Sequence, residues 1–187
     1  MIITMNRGLL VTLLLLTLIS LLGCRGEKPH SPEETMPVTP EDITSVRISY
    51  NHMTRNSAYS YSLEEKDGET LFSCNYFIFD DDDLIEITIE KAPVDSGYME
   101  TMRELVARYG FLNMQYRESG LLDRQISDAP NYSLLLGSSI VIDGRTYTDH
   151  KRLNYFPDGT EEMKEIFLSL AEICADKATF DNLSNYN

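Results

Sequence analysis

The 187-residue chain has no tryptophan, only three cysteines and only three histidines. The scarcity of cysteine and histidine limits the kinds of redox and metal-binding site that the chain can form. The cysteines are widely separated, so no CxxC redox motif exists. The histidines occur in no HExxH or other metal-ligand spacing. A GxSxG nucleophile motif and a glycine-rich phosphate loop are also missing. The sequence therefore predicts no catalytic residue, no metal ligand and no cofactor.

Positive charge is scarce as well. The chain has 16 Lys and Arg residues against 30 Asp and Glu residues, which gives a net charge of −14. A strongly acidic protein repels the phosphates of nucleic acids and the head groups of anionic lipids. We therefore expect no nucleic-acid partner. We interpret the acidity as a property that keeps an exported domain soluble.

The longest hydrophobic stretch lies near the amino terminus, after a single basic residue, Arg7. This stretch, residues 9–22, is 14 residues long, whereas a membrane-spanning helix needs about 20 apolar residues. It runs into Gly23, a small residue, followed by Cys24. A basic start, a short apolar run and a small residue before the cut are typical of a secretory signal peptide. We therefore interpret residues 1–23 as a cleaved signal, with an uncleaved signal anchor as the alternative.

The apolar run and the motif Leu21-Leu22-Gly23-Cys24 resemble the signal peptide and lipobox of bacterial lipoproteins. The resemblance implies that the Cys24 thiol carries a diacylglyceryl group and that the new amino terminus is acylated, for example with palmitate. Two or more acyl chains anchor a protein stably where one does not. The resemblance thus implies an extracytoplasmic protein anchored by lipid to the cell membrane or the outer membrane. Arg25 stands where an Asp retains many lipoproteins of diderm bacteria in the inner membrane.

Composition divides the remaining chain into three parts. Residues 24–41 contain four of the seven prolines and few apolar residues, so we expect an extended tether that follows the lipidated Cys24. Residues 42–176 are long enough for one domain with a hydrophobic core. Residues 177–187 are mostly polar, and we expect a flexible carboxyl-terminal tail.

Two kinds of periodicity predict the fold of this domain. Apolar and polar residues alternate in four segments before residue 95 and again after residue 130, which predicts an antiparallel sheet with one solvated face. Asp67-Gly68 and Asp143-Gly144 indicate hairpin turns. Apolar stripes over residues 98–109 and 163–174 predict two amphipathic helices. We expect an α+β fold with both helices on the buried face of the sheet, and a strand–strand–helix pseudo-repeat remains open.

Two groups of residues are candidate sites in this domain. Cys74 and Cys174 lie on apolar faces of a predicted strand and a predicted helix, so they could form a disulfide or remain buried thiols. A basic cluster near aromatic residues could bind an anionic group such as a carboxylate or a cell-wall phosphate, or could be a solvated strand end. This cluster consists of Arg145, His150, Lys151 and Arg152.

These features favour a non-enzymatic binding or inhibitor module that is held at the membrane through lipid on Cys24. Its partner would be an envelope protein or a cell-wall component. The alternatives are a hydrolase of envelope polymers and an accessory subunit of a membrane complex. An enzyme should show a deep cleft in which polar side chains converge. A binding module should show a shallow apolar or aromatic patch on the solvated face of the sheet or on residues 111–131.

Overall fold

The computed structural model describes residues 37–51, 58–80, 83–116 and 131–183. The predicted signal peptide and most of the predicted tether lie outside these ranges, as do Cys24, His30, His52, Asp81 and Asp82. Within the described ranges, no helix is long and apolar enough to cross a membrane.

One antiparallel sheet of seven strands organises the described residues, and two helices pack against it. The strands are β1 (Ile43–Asn51), β2 (Tyr59–Lys66), β3 (Glu69–Asp80), β4 (Asp83–Val94), β5 (Asn131–Ile142), β6 (Arg145–Leu153) and β7 (Thr179–Asn182). The helices are α1 (Gly97–Tyr109) and α2 (Thr160–Ile173). The strand order is β6-β5-β1-β2-β3-β4-β7, and every neighbouring pair is antiparallel. The predicted α+β class and the two predicted helices are confirmed.

Two-residue turns close the β2–β3 and β5–β6 hairpins at the predicted positions. Asp67 and Gly68 have φ angles of 54° and 85°, and Asp143 and Gly144 have φ angles of 50° and 74°. Positive φ at both central residues defines the type I′ turn, whose twist matches that of paired strands. Aspartate tolerates this conformation because its short side chain can bond locally to the backbone.

The hydrophobic core lies between the helices and one face of the sheet. Val46, Ile48 and Leu134 from neighbouring strands are fully buried there. Phe167 of α2 is also fully buried, and its ring lies 5.9 Å from that of Tyr61. Burial of one such side chain contributes about 1.5–3 kcal/mol, so this face accounts for much of the stability of the domain.

A buried arginine fastens α1 to the sheet. The side chain of Arg103 is only 14% exposed, and its Nε donates a hydrogen bond of 2.9 Å to the carbonyl oxygen of Ile43. Its guanidinium also pairs with Glu65 of β2 and, at 2.6 Å, with Glu100 of α1. One cation thus joins α1 to both β1 and β2.

The two helices meet where Tyr109, the last residue of α1, lies against Gly159 at the start of α2. A Cβ atom at Gly159, where φ is 93°, would lie 2.3 Å from the ring of Tyr109. The hydroxyl of Tyr109 also hydrogen-bonds to Glu162 of α2. Glycine at position 159 therefore permits both the turn and the contact between the helices.

The carboxyl-terminal segment differs from the sequence prediction. Thr179–Asn182 falls in the predicted flexible tail, yet it forms β7 and pairs with β4. The prediction of a tail is wrong for these residues, whereas residues 184–187 lie outside the described ranges. All four side chains of β7 are exposed. The strand is therefore held to β4 by backbone pairing and not by burial of apolar side chains. For this reason its sequence shows no hydrophobic alternation that could predict a strand.

Candidate functional site

The face of the sheet opposite the helices carries short polar side chains and several cations, and we call it the open face. Successive side chains of a strand point to opposite faces, so buried Val46 and Ile48 place Arg47 and Ser49 on the open face. Its central side chains are Arg47, Ser49, Ser60, Ser62, Ser73, Asn75, Thr88, Ser133, Leu135, His150 and Arg152.

Strand register aligns short polar residues in one row across six strands of the open face. We call it the hydroxyl row, and it consists of Ser133, Ser49, Ser60, Asn75, Thr88 and Thr179, each paired with the next. Hydroxyl and amide groups both donate and accept hydrogen bonds. The serines of the row therefore present donors and acceptors to a polar ligand, whereas the Asn75 amide already donates to Thr88 and the Thr179 hydroxyl to the backbone of Thr88.

A second row beside it carries positive charge. Arg152 pairs with Leu135, Leu135 with Arg47, Arg47 with Ser62, and Ser62 with Ser73. Adjacent strands lie about 4.8 Å apart. Arg152 and Arg47 are two strands apart, so their backbones are separated by roughly 10 Å. Leu135 lies between them.

A β-bulge adds a third cation to this row. The register of β3 and β4 shifts so that Glu90 and Lys91 of β4 both lie opposite Ser73. Lys91 has a φ of 48°, which costs a non-glycine residue roughly 1–2 kcal/mol. Its N–H donates a hydrogen bond of 2.9 Å to the Ser73 hydroxyl. Bulges re-aim side chains, and Lys91 lines the same depression as Ser62 and Ser73. We call Arg152, Arg47 and Lys91 the cation row.

Two adjoining depressions follow these rows. One has a volume of about 480 Å³ and extends from Asn75 past Arg47 to Arg152. The other has a volume of about 540 Å³ and extends from Arg47 to Lys91. Arg47, Ser60 and Asn75 line both, so the depressions form one trough across the strands. This shape suits an extended ligand, and its lining combines polar and cationic residues with Leu135, Tyr50 and Tyr59.

The cations of the trough have no acidic partner among the described residues. Ion pairs in that part of the chain involve Arg103, Arg108 and Lys164, all on the helices. Neither Arg47 nor Arg152 makes an ion pair or a side-chain hydrogen bond with a residue that the structure describes. A guanidinium carries five N–H donors in a fixed fork. No described residue therefore occupies these donors.

Acidic residues lie toward the opposite edge of the open face. The Asn75 side-chain amide donates hydrogen bonds to Glu86 Oε1 at 2.5 Å and to Thr88 Oγ1 at 3.0 Å. Glu86 pairs in register with Asp181 of β7. On the open face, cations therefore lie on β6 and β1, and carboxylates lie on β4 and β7, where Lys91 of β4 is the exception.

The structure divides the basic cluster predicted from the sequence. All four of its residues lie on β6, but strand alternation places His150 and Arg152 on the open face and Arg145 and Lys151 on the other. His150 lies close to Gly137 of β5, where a Cβ atom would be 3.2 Å from Nδ1 of the imidazole.

The sequence prediction also missed two cations of the trough, Arg47 and Lys91. Arg47 sits between two buried residues and has the pattern of any solvated strand position. The position of Lys91 could have been inferred from the spacing of apolar residues in β4. The buried residues have odd numbers up to Ile89, but the next buried residue, Ala92, has an even number. Such a change of parity indicates a bulge.

Cys74 and Cys174 are both buried in the core, and both thiols are free. Burial raises the pKa of Cys74 to about 11, and burial also raises the pKa of Cys174. Both are therefore thiols near neutral pH, and the thiolate is the nucleophilic form. The disulfide, which the sequence left open as one of two alternatives, stays a prediction.

Metal chemistry finds no support in the described ranges, where no three His, Cys, Asp or Glu side chains lie close enough to bind an ion. Four consecutive aspartates occupy residues 80–83, and two of them, Asp81 and Asp82, lie outside those ranges.

No known protein family, no curated protein and no solved structure matches this chain.

Proposed function

We propose that the protein is a lipid-anchored, extracytoplasmic binding module that holds its ligand on the open face. The lipobox-like motif at Cys24 and the proline-rich residues after it support the anchor and the tether. The observation that carries the binding role is the trough, in which Arg47 and Arg152 lie beside the hydroxyl row and form no ion pair with any described residue. Charged donors without a protein partner favour a ligand that supplies the opposite charge.

The same geometry favours binding over hydrolysis. A hydrolase should gather His150, Arg152 and a carboxylate in one cleft. The carboxylate of neighbouring Asp149 instead accepts a hydrogen bond of 2.7 Å from the backbone N–H of His150. The buried thiols of Cys74 and Cys174 are protonated and face the core. The trough itself opens to solvent along the sheet.

The anchor is tested by Cys24→Ala in the full-length chain, expressed in bacteria fed a clickable palmitate analogue. We expect wild-type protein to carry the label and sediment with membranes, and the variant to lose both properties. Ser31→Ala, in the predicted tether, is the control and should behave like wild type. Unchanged membrane retention of Cys24→Ala would refute lipid attachment as the principal anchor.

The binding face is tested by site-specific photo-crosslinking in intact cells. A photoreactive residue replaces Ser60, in the middle of the trough, or Glu172, which is exposed on α2. We expect adducts of the full-length chain from position 60 and none from position 172. Adducts from position 172 alone would place the binding surface on the helices. Absence of adducts at both positions would contradict a binding module of any kind.

A further inference from the structure

We infer that the ligand of the open face is an acidic polysaccharide with sparsely spaced carboxylates, lying across the strands along the cation row. The inference rests on the proposed function and names the ligand class for the same trough. It is carried by the juxtaposition of the three cations with the hydroxyl row.

The spacing of the cations sets the spacing of charge on the ligand. Arg152 and Arg47 are two strands apart, and Arg47 and Lys91 are three strands apart. At about 4.8 Å per strand, these separations are roughly 10 Å and 14 Å. A ligand that meets all three cations therefore carries its charges at intervals of about 10–15 Å, with neutral groups between them.

The surface between the cations fits neutral sugar units. Ser62 and Ser73 lie between Arg47 and Lys91, and the hydroxyl row runs alongside. Serine, threonine and asparagine can each donate and accept, as sugar hydroxyls do. Leu135, between the two arginines, offers an apolar surface to the C–H groups of a sugar ring. Each guanidinium can bind a carboxylate through two parallel hydrogen bonds.

Acidic surroundings exclude ligands with dense charge. Glu90 lies beside Lys91, Glu86 lies beyond the hydroxyl row, and the whole chain carries a charge of −14. Exposed charges are screened beyond about 8 Å at physiological ionic strength, so a sparse anion interacts mainly with its nearest cation. A dense polyanion would place many of its charges between the cations and close to these carboxylates. The open face should therefore discriminate against polyphosphate and nucleic acids.

The ligand class is tested with the full-length lipidated chain in detergent micelles at about 0.15 M salt. Three polymers are titrated by calorimetry: hyaluronate, in which a carboxylated sugar alternates with a neutral one, neutral dextran, and polyphosphate. We expect hyaluronate to bind at least about tenfold more tightly than dextran, since charge-assisted hydrogen bonds are lost with the neutral polymer. We expect no detectable binding of polyphosphate.

Three variants locate the interaction. Arg47→Ser should weaken hyaluronate binding by about tenfold. Arg145→Ser removes the same charge from β6 on the opposite face and should leave binding unchanged. Lys91→Gly should weaken binding and raise the melting temperature, because glycine adopts the positive φ of the bulge without strain. This combination separates loss of the cation from loss of the fold.

Each other outcome overturns the ligand class. Equal binding of dextran would show that charge is not recognised, and tighter binding of polyphosphate would show that a phosphate polymer is preferred. An equal loss in Arg145→Ser would show that only net charge matters. If hyaluronate does not bind but position 60 still gives adducts, the ligand class is wrong and the binding module stands. If both measurements fail, both proposals fail.

Discussion

The two faces of the sheet come from the same strands and alternate residue by residue, yet they differ in nearly every physical property. In β2, Tyr61 and Leu63 are buried under the helices, while Ser62 between them lines the trough. The covered face is built of large apolar side chains in contact. The centre of the open face carries mainly short polar groups and cations that have no acidic partner among the described residues. The difference indicates that the covered face stabilises the domain and leaves the open face available to a ligand.

The largest expected effect is on the covered face. Phe167→Ala removes a fully buried ring that stacks on Tyr61 at 5.9 Å and on Phe72 at 6.2 Å. Such truncations leave a cavity and cost about 3–5 kcal/mol. Urea unfolding followed by circular dichroism should show this loss of free energy of unfolding.

Ser62→Ala is the matched change on the open face, and it should alter the free energy of unfolding by less than about 0.5 kcal/mol. Comparable losses in the two variants would contradict the division of roles between the faces.

A smaller effect distinguishes two arginines of α1. Arg103 is 14% exposed and joins α1 to Ile43 and Glu65, so Arg103→Ala should lower the free energy of unfolding by about 2 kcal/mol. Arg108 pairs with Glu162 at 3.1 Å, but both side chains are about half exposed. Arg108→Ala should therefore cost at most about 1 kcal/mol.

Both arginine variants are measured by the same urea unfolding. If Arg108→Ala proved more costly than Arg103→Ala, the docking of α1 would depend on its exposed side and not on the covered face of the sheet.

Local patterns were sufficient to predict the covered face. Apolar residues two apart in strands and three or four apart in helices reveal which side is buried. The Asp-Gly pairs mark the turns because few other residues adopt positive φ at both positions. Strands, hairpins and helices each depend on residues close in the sequence, so the fold class could be predicted.

The grouping of side chains on the open face depends on the register between strands that are far apart in the sequence. A pattern of neighbouring residues contains no information about this register. Arg47 and Arg152 lie in one row because β5 pairs with both β1 and β6. Any polar residue is compatible with a solvent-exposed position of a strand. The sequence therefore did not indicate that serines and arginines would align in rows. Side-chain alternation also divides the basic cluster of β6. Its four residues are close in the sequence, but they lie on two faces of the sheet.

The smallest effect concerns the ionisation of tyrosines on the covered face. Burial raises the pKa of Tyr59 to about 12, with a smaller contribution from the charge of Glu161, and burial also raises the pKa of Tyr61. In the unfolded chain these phenols ionise near pH 10. The native state therefore holds more protons than the unfolded state above pH 10, and stability decreases as pH rises toward the folded-state pKa.

Urea unfolding at pH 8, 10 and 11 tests this comparison. Tyr61, which is 4% exposed, contributes a slope of up to about 1.4 kcal/mol per pH unit above pH 10. Tyr61→Phe should make the alkaline decrease shallower, because a ring that cannot ionise no longer favours the unfolded state. An unchanged slope in Tyr61→Phe would show that burial on the covered face is not the cause of the alkaline instability.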